Sequence, residues 1–125
     1  MAWELVADPK HKYRGEVFVS VDPKRKRMGL YKEARKMMLD NYGKEFEFVQ
    51  IFRDSDFSDR FWIKPCDEHD EGSRKLDAPS PSTRTLSVSL LLQQLEWAPK
   101  KTVRLPITWD EDNKAALVNI TEVVR

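Results

Sequence analysis

The chain has 125 residues, with 22 basic and 21 acidic side chains and a net charge of +1. Hydrophobic residues make up 40% and charged residues 34%, which excludes a disordered chain and indicates one globular domain spanning 1–125. The single cysteine, Cys66, excludes an internal disulfide and therefore a secreted disulfide scaffold.

The longest aliphatic run is Leu90-Leu91-Leu92, far short of the roughly 20 apolar residues that cross a bilayer. The N-terminal residues lack the basic start and long apolar stretch of a signal peptide. We therefore expect a cytoplasmic protein with no membrane contact.

The first elements in chain order are extended. Residues 3–7 are typical of a short strand, and residues 16–21 alternate so that Val17, Val19 and Val21 share one face. After a turn at Asp22-Pro23 the extended pattern resumes over 28–30. Residues 16–30 are therefore predicted to form a β-hairpin.

A helix is predicted from Tyr31 to Tyr42, with Gly43 just beyond its end in the position that favours a left-handed residue. A strand follows over 46–52, where the alternation shifts near Phe48 and predicts a bulge or burial on both faces. The returning strand over 61–63 is expected to end at Pro65. The apolar residues at helical spacing are Leu30, Ala34, Met37 and Met38.

Residues 66–83 are polar and contain proline and serine, with almost no apolar side chains. We interpret this segment as a polar linker or a mobile loop between two similar halves.

The second half begins with an extended stretch over 85–88, followed by a short helix from about Leu90 to Trp97. Ser87 or Ser89 is the expected N-cap. Alternating apolar residues over 103–109 and 116–120 then predict two strands joined by an acidic turn.

Residues 28–64 and 86–120 share one element order: strand, helix, strand, turn, strand. The offset is 57 or 58 positions, so that Leu30 corresponds to Val88 and Met37 to Leu95. Either the halves are an internal pseudo-repeat, or two unrelated hairpins pack on shared helices. The predicted fold class is α+β: a β-rich small barrel or curved antiparallel sheets with two short helices.

Several short stretches between residues 17 and 65 carry a resemblance to a known family. They are Val19-Ser20-Val21-Asp22, Arg27-Met28-Gly29-Leu30, Tyr31 to Met37, Tyr42-Gly43-Lys44, Phe46-Glu47-Phe48 and Phe61 to Pro65. This part of the chain resembles the AbrB/SpoVT swapped-hairpin family of small transcription regulators. The resemblance implies that two such units interleave in one small barrel, and a duplicated chain would supply both units itself.

The sharpest local feature is a run of four cations in the predicted hairpin turn. Residues 1–40 hold ten basic and six acidic side chains, a net charge of +4, so the basic excess lies near the N-terminus. Such a run suits contacts with nucleic-acid phosphates, although a solvated hairpin turn has the same composition. The predicted nucleic-acid-binding residues are Lys24, Arg25, Lys26 and Arg27, extended by Lys10, Lys12 and Arg14.

No catalytic signature is present, and the chain is not expected to be an enzyme. Cys66 and His69 have the spacing of half a zinc site, but one cysteine and two histidines cannot complete it, so no metal and no cofactor are expected. Two functions remain open. The first is a nucleic-acid-binding regulator with DNA or RNA as partner, and the second is a structural or adaptor protein that forms a homo-oligomer or binds another protein.

Overall fold

A computed structural model describes residues 17–81 and 83–121. The strand predicted over 3–7 lies outside these residues. The described part of the chain contains nine strands and two helices. In chain order they are β1 (Phe18–Asp22), β2 (Arg27–Leu30), α1 (Lys32–Tyr42), β3 (Phe48–Phe52), β4 (Arg60–Cys66), β5 (Arg74–Lys75), β6 (Asp77–Ser80), β7 (Thr83–Ser87), α2 (Ser89–Gln94), β8 (Val103–Asp110) and β9 (Ala115–Asn119).

The strands form one antiparallel sheet in the order β5-β3-β4-β9-β8-β1-β2-β7-β6. Its two edge strands, β5 and β6, are separated in the chain only by Leu76, so the backbone itself bridges the two edges. Leu76 is buried and its N–H donates to the carbonyl of Glu47 at 2.9 Å, while the guanidinium of Arg74 donates to the carbonyl of Ser87 on β7. The sheet is therefore a nearly closed barrel, which confirms the predicted α+β class.

The barrel interior is filled by the alternating apolar residues of the strands. Val19 and Val21 of β1 and Met28 and Leu30 of β2 are at most 1% exposed, as the hairpin pattern predicted. One face of α1 covers part of this core, and Gly43 ends the helix with φ 92°, in the left-handed region predicted for it. The helix residues buried in the core are Ala34, Met37 and Met38.

The two predicted halves have the same element order, β2-α1-β3-β4 and β7-α2-β8-β9. They also contact each other symmetrically, because β2 pairs with β7 and β4 pairs with β9. Corresponding residues face each other across both ladders: Met28 opposes Leu86, and Phe61 opposes Val118. Since β2 and β7 are antiparallel, α1 and α2 follow opposite ends of the barrel. Duplication as the origin of this symmetry stays a prediction.

Two local predictions were wrong, and for β3 one of the two predicted alternatives, the bulge, is excluded while burial on both faces remains. Pro65 does not end its strand but lies buried inside β4; this strand pairs with β9 only as far as Ile63, and a missing N–H is tolerated at such an edge. The register of β3 against β4 runs from Phe48 to Phe52 without a bulge. Neither serine caps α2: its N-cap is Val88, and burial of Leu91 holds the short helix in place.

The segment 66–83, predicted as a linker or loop, carries the edge strands β5 and β6. Their side chains are mostly exposed and polar, so no apolar alternation marks them in the sequence. Backbone pairing with β3 and β7 holds them, and Leu76, which lies between them, is buried. No helix in the described ranges is long and apolar enough to cross a membrane.

The turn between β8 and β9 is organised by Asp110. Its carboxylate accepts hydrogen bonds from the side-chain amide of Asn113 at 2.6 Å, the indole N–H of Trp62 at 3.0 Å and the backbone N–H of Asp112 at 3.1 Å. The bond from Asn113, followed by that from Trp62, lowers the pKa of Asp110 because both favour the ionised form.

Asp110→Asn should therefore destabilise the fold at neutral pH more than at acidic pH. A carboxyl with a depressed folded-state pKa contributes stability above its unfolded pKa of about 4, and that contribution is lost as pH falls through the folded-state value. Urea unfolding of both proteins at several pH values checks this. The difference in unfolding free energy should shrink below about pH 4, and a constant difference would contradict the assignment.

Candidate nucleic-acid interface

The basic run forms the turn of the β1–β2 hairpin, between Asp22 and Arg27. The Asp22 carboxylate accepts the backbone N–H groups of Lys24 at 3.0 Å and Arg25 at 3.3 Å, which fixes the turn from inside. Lys26 adopts a left-handed conformation with φ 54°. The side chains of Lys24, Arg25 and Lys26 consequently stand exposed on a defined backbone.

Most of this charge is not neutralised by the described residues. Lys24 and Lys26 form no ion pair there, and the Arg25 Nε lies 3.9 Å from Asp22 while its side chain is 82% exposed. A pair this open contributes little, because solvent screens it. Among the described residues the turn therefore presents two cations without an ion-pair partner, Lys24 and Lys26, and a third, Arg25, whose ion pair with Asp22 is weak.

Arg27 differs from the other three. Its guanidinium donates to the Asp77 carboxylate on β6 and to the Thr85 hydroxyl on β7, the latter at 3.0 Å. These bonds connect β2 to β7 and β6 and give the charge of Arg27 a carboxylate partner at the surface of the sheet. The structure thus brings Lys24, Arg25 and Lys26 together and gives Arg27 a place in the sheet. Lys10, Lys12 and Arg14 lie outside the described residues.

Three further cations adjoin the turn, and the sequence analysis did not include them. Val21 pairs with Val103, so the end of β1 lies beside the start of β8. Lys100 and Lys101 are exposed and are separated from the start of β8 only by Thr102, and Arg104 is the second residue of this strand. We call Lys24, Arg25, Lys26, Lys100, Lys101 and Arg104 the basic surface.

Aromatic side chains border the basic surface on the outer face of β1. The guanidinium of Arg104 lies 5.2 Å from the centre of the Phe18 ring, and the Tyr31 ring is 5.8 Å from Phe18. Tyr31 is 41% exposed and lies over Gly29, where an added Cβ would approach Ser20 Oγ to 2.9 Å. Cations beside exposed rings are typical of surfaces that contact nucleic acids.

Helix α2 adjoins the same turn. The N–H of Val88 donates to the carbonyl of Lys26 at 2.8 Å, so a backbone hydrogen bond connects the turn to the start of the helix. Leu91 and Leu95 are buried in the core, whereas Leu90 is 64% exposed. Core packing therefore accounts for most of the leucine run but leaves Leu90 on the surface.

The Cys66–His69 pair has no further metal ligands grouped with it among the residues that the structure describes. In residues 17–81 and 83–121 no group of three or more His, Cys, Asp or Glu side chains is placed to hold a metal ion. Burial, together with the nearby carboxylates of Asp70 and Asp67, raises the pKa of the Cys66 thiol, which keeps it protonated and unreactive.

The fold and this surface define a small antiparallel barrel with one basic side. No protein-family model matches the chain, and no curated protein or solved structure matches it either. Function is therefore argued from the geometry alone.

Proposed function

We propose that this protein is a non-enzymatic, cytoplasmic nucleic-acid-binding regulator or accessory protein that binds phosphates through the basic surface. The observation that carries the proposal is the pairing of β1 with β8, which places Lys100, Lys101 and Arg104 at the barrel end of the 24–26 turn. Segments more than 70 residues apart in the chain supply like charges to one place, at a cost in mutual repulsion. Binding to a polyanion relieves that repulsion and releases condensed counterions.

The distribution of acidic residues supports the same orientation. Strand β4 pairs antiparallel with β9, and β9 with β8, so β4 starts at the barrel end that holds the basic turn and finishes at the other. The exposed acids that follow β4 therefore lie at the far end. They are Asp67, Glu68, Asp70 and Glu71. The acids of the loop between β3 and β4, Asp54, Asp56 and Asp59, lie at the same end as the basic turn, so the orientation is supported by the acids after β4 and not by the acidic residues as a whole.

The resemblance of residues 17–65 to the AbrB/SpoVT family belongs to this proposal. The symmetric pairing of β2 with β7 and of β4 with β9 supports it, since one chain supplies two strand–helix–hairpin units to a single barrel. On this view the chain does alone what two interleaved copies do in that family.

A fluorescence titration tests the proposal. Labelled duplex DNA, single-stranded DNA and RNA of equal length are titrated at about 50 and 200 mM salt. With about five phosphate contacts, the affinity should fall by a factor of several hundred between the two conditions, because the logarithm of the affinity falls by about 0.9 per contact for each tenfold rise in salt and the rise here is about fourfold. Absence of binding to all three probes at the lower salt concentration would overturn the proposal.

Self-association is a second candidate, favoured by the exposure of Leu90 on α2 and of Phe52 on β3. A homo-oligomer predicts a mass well above 14.7 kDa in light scattering, and Leu90→Asp should return it to that mass. A clean monomer at high concentration would exclude this candidate and leave the first one untouched.

A further inference from the structure

An open cleft lies on the outer face of β3, β4 and β9, away from the residues of the basic surface. Its volume is about 490 Å³, within the range of small-molecule sites. Phe52 and Trp62, which face each other across β3 and β4, form its apolar part, and Ala115 of β9 has too small a side chain to fill it.

The Trp62 ring is held in a fixed orientation. Its indole N–H donates to Asp110 at 3.0 Å, and Asp110 is held in turn by Asn113 at 2.6 Å. Phe52 opposite it is 46% exposed, one of four large hydrophobic residues exposed in the described ranges. A pre-oriented ring beside a second exposed ring offers a planar ligand two surfaces to stack on, with little ordering cost.

Cations lie on the rim of the same cleft. Arg53 and Lys64 both line it, and in the described part of the chain neither has an ion-pair partner. Asp54 is the carboxylate among the lining residues, and its Oδ1 already accepts the backbone N–H of Asp56 at 2.9 Å. The cleft therefore combines an aromatic wall with two cations that form no ion pair within the described residues, beside the carboxylate of Asp54.

We infer that this cleft binds a mononucleotide. A planar heteroaromatic base would stack against Phe52 and Trp62, while the phosphate monoester, with a charge of about −1.5 to −2 at neutral pH, would match Arg53 and Lys64. Arg53 and Lys64 favour this ligand over an uncharged nucleoside. Phe52 and Trp62 favour it over a sugar phosphate, which has no base to stack. The inference does not rest on the proposed function, because none of these residues belongs to the basic surface.

Calorimetric titration with adenosine 5′-monophosphate and uridine 5′-monophosphate tests the inference, with adenosine and ribose 5-phosphate as partial ligands. At least one mononucleotide should bind, and both partial ligands should bind at least about tenfold more weakly. Phe52→Ala should weaken mononucleotide binding by about 5-fold or more, since loss of one stacked ring costs about 1–3 kcal/mol. Lys64→Gln should weaken it to a similar degree.

Two matched variants serve as controls. Phe57→Ala removes an equally exposed ring that does not line the cleft, and Lys75→Gln removes an exposed cation on β5. Both should leave the affinity unchanged. No binding of either mononucleotide at about 5 mM, equal binding of a partial ligand, or equal losses in the control variants would each overturn the inference. Far-UV circular dichroism confirms that the variants remain folded.

Discussion

Replacing Lys24, Arg25 and Lys26 together by alanine should lower the affinity for nucleic acid by roughly 100- to 1000-fold at about 50 mM salt. Each phosphate contact contributes about one decade under these conditions through counterion release. The salt dependence should also flatten, with the slope of the logarithmic plot reduced by roughly 2 to 3. The hydrogen bonds from the turn to Asp22 come from backbone N–H groups, so the hairpin keeps its anchor in the variant.

The matched control removes the same charge elsewhere. Lys32 and Lys36 of α1 and Lys75 of β5 are exposed and lie at or near the barrel end opposite the basic turn. Their triple alanine variant should bind within about threefold of the wild type, because the remaining effect is a screened long-range one. Equal losses in the two triple variants would show that net charge decides binding and would contradict a localised interface.

Phe61→Ala should lower the free energy of unfolding by about 3–5 kcal/mol. Phe61 is 1% exposed, is the second residue of β4 and faces Val118 in the ladder that joins the two halves. The loss is large against the roughly 5–15 kcal/mol that stabilises an ordinary domain. Urea denaturation followed by tryptophan fluorescence measures it.

Phe57→Ala provides the comparison for this second prediction. Phe57 lies in the loop between β3 and β4, is 44% exposed and contacts Arg60 through its ring face at 4.3 Å. Its loss should cost about 1 kcal/mol or less. Phe61→Leu should lower the free energy of unfolding by a smaller amount, and it replaces the alanine variant in the test if that variant does not fold. Equal stabilities of the Phe57 and Phe61 alanine variants would contradict the barrel core.

The strands with buried faces were predictable because burial imposes a period of two on their side chains. Val19 and Val21, and later Leu105 and Ile107, alternate with polar or half-buried residues and all four are buried. Gly43 marked the end of α1 for an equally local reason, its tolerance of positive φ.

Features that depend on distant contacts left no local trace. The strands β5 and β6 lack apolar alternation, and they form because the sheet edges they join are already in place. Arg27 donates a hydrogen bond to Asp77, 50 residues away in the chain, so its position in a basic run does not reveal its partner.

The basic surface was visible in the sequence only in part. The turn at 24–26 is contiguous and therefore conspicuous, whereas Lys100 and Lys101 join it through the pairing of β1 with β8. The only local signal for them is that they form a pair of cations shortly before an alternating strand. This pattern indicates the exposed start of a strand but does not show which strand lies beside it.

The most direct test of the proposed interface is a nuclear magnetic resonance titration of the whole chain with a short oligonucleotide at low salt. Backbone amide signals should shift most over residues 18–26 and 100–104, with those of the acidic turn after β4 nearly unchanged. Shifts centred on residues 67–71, or no shifts at saturating oligonucleotide, would contradict binding through the basic surface.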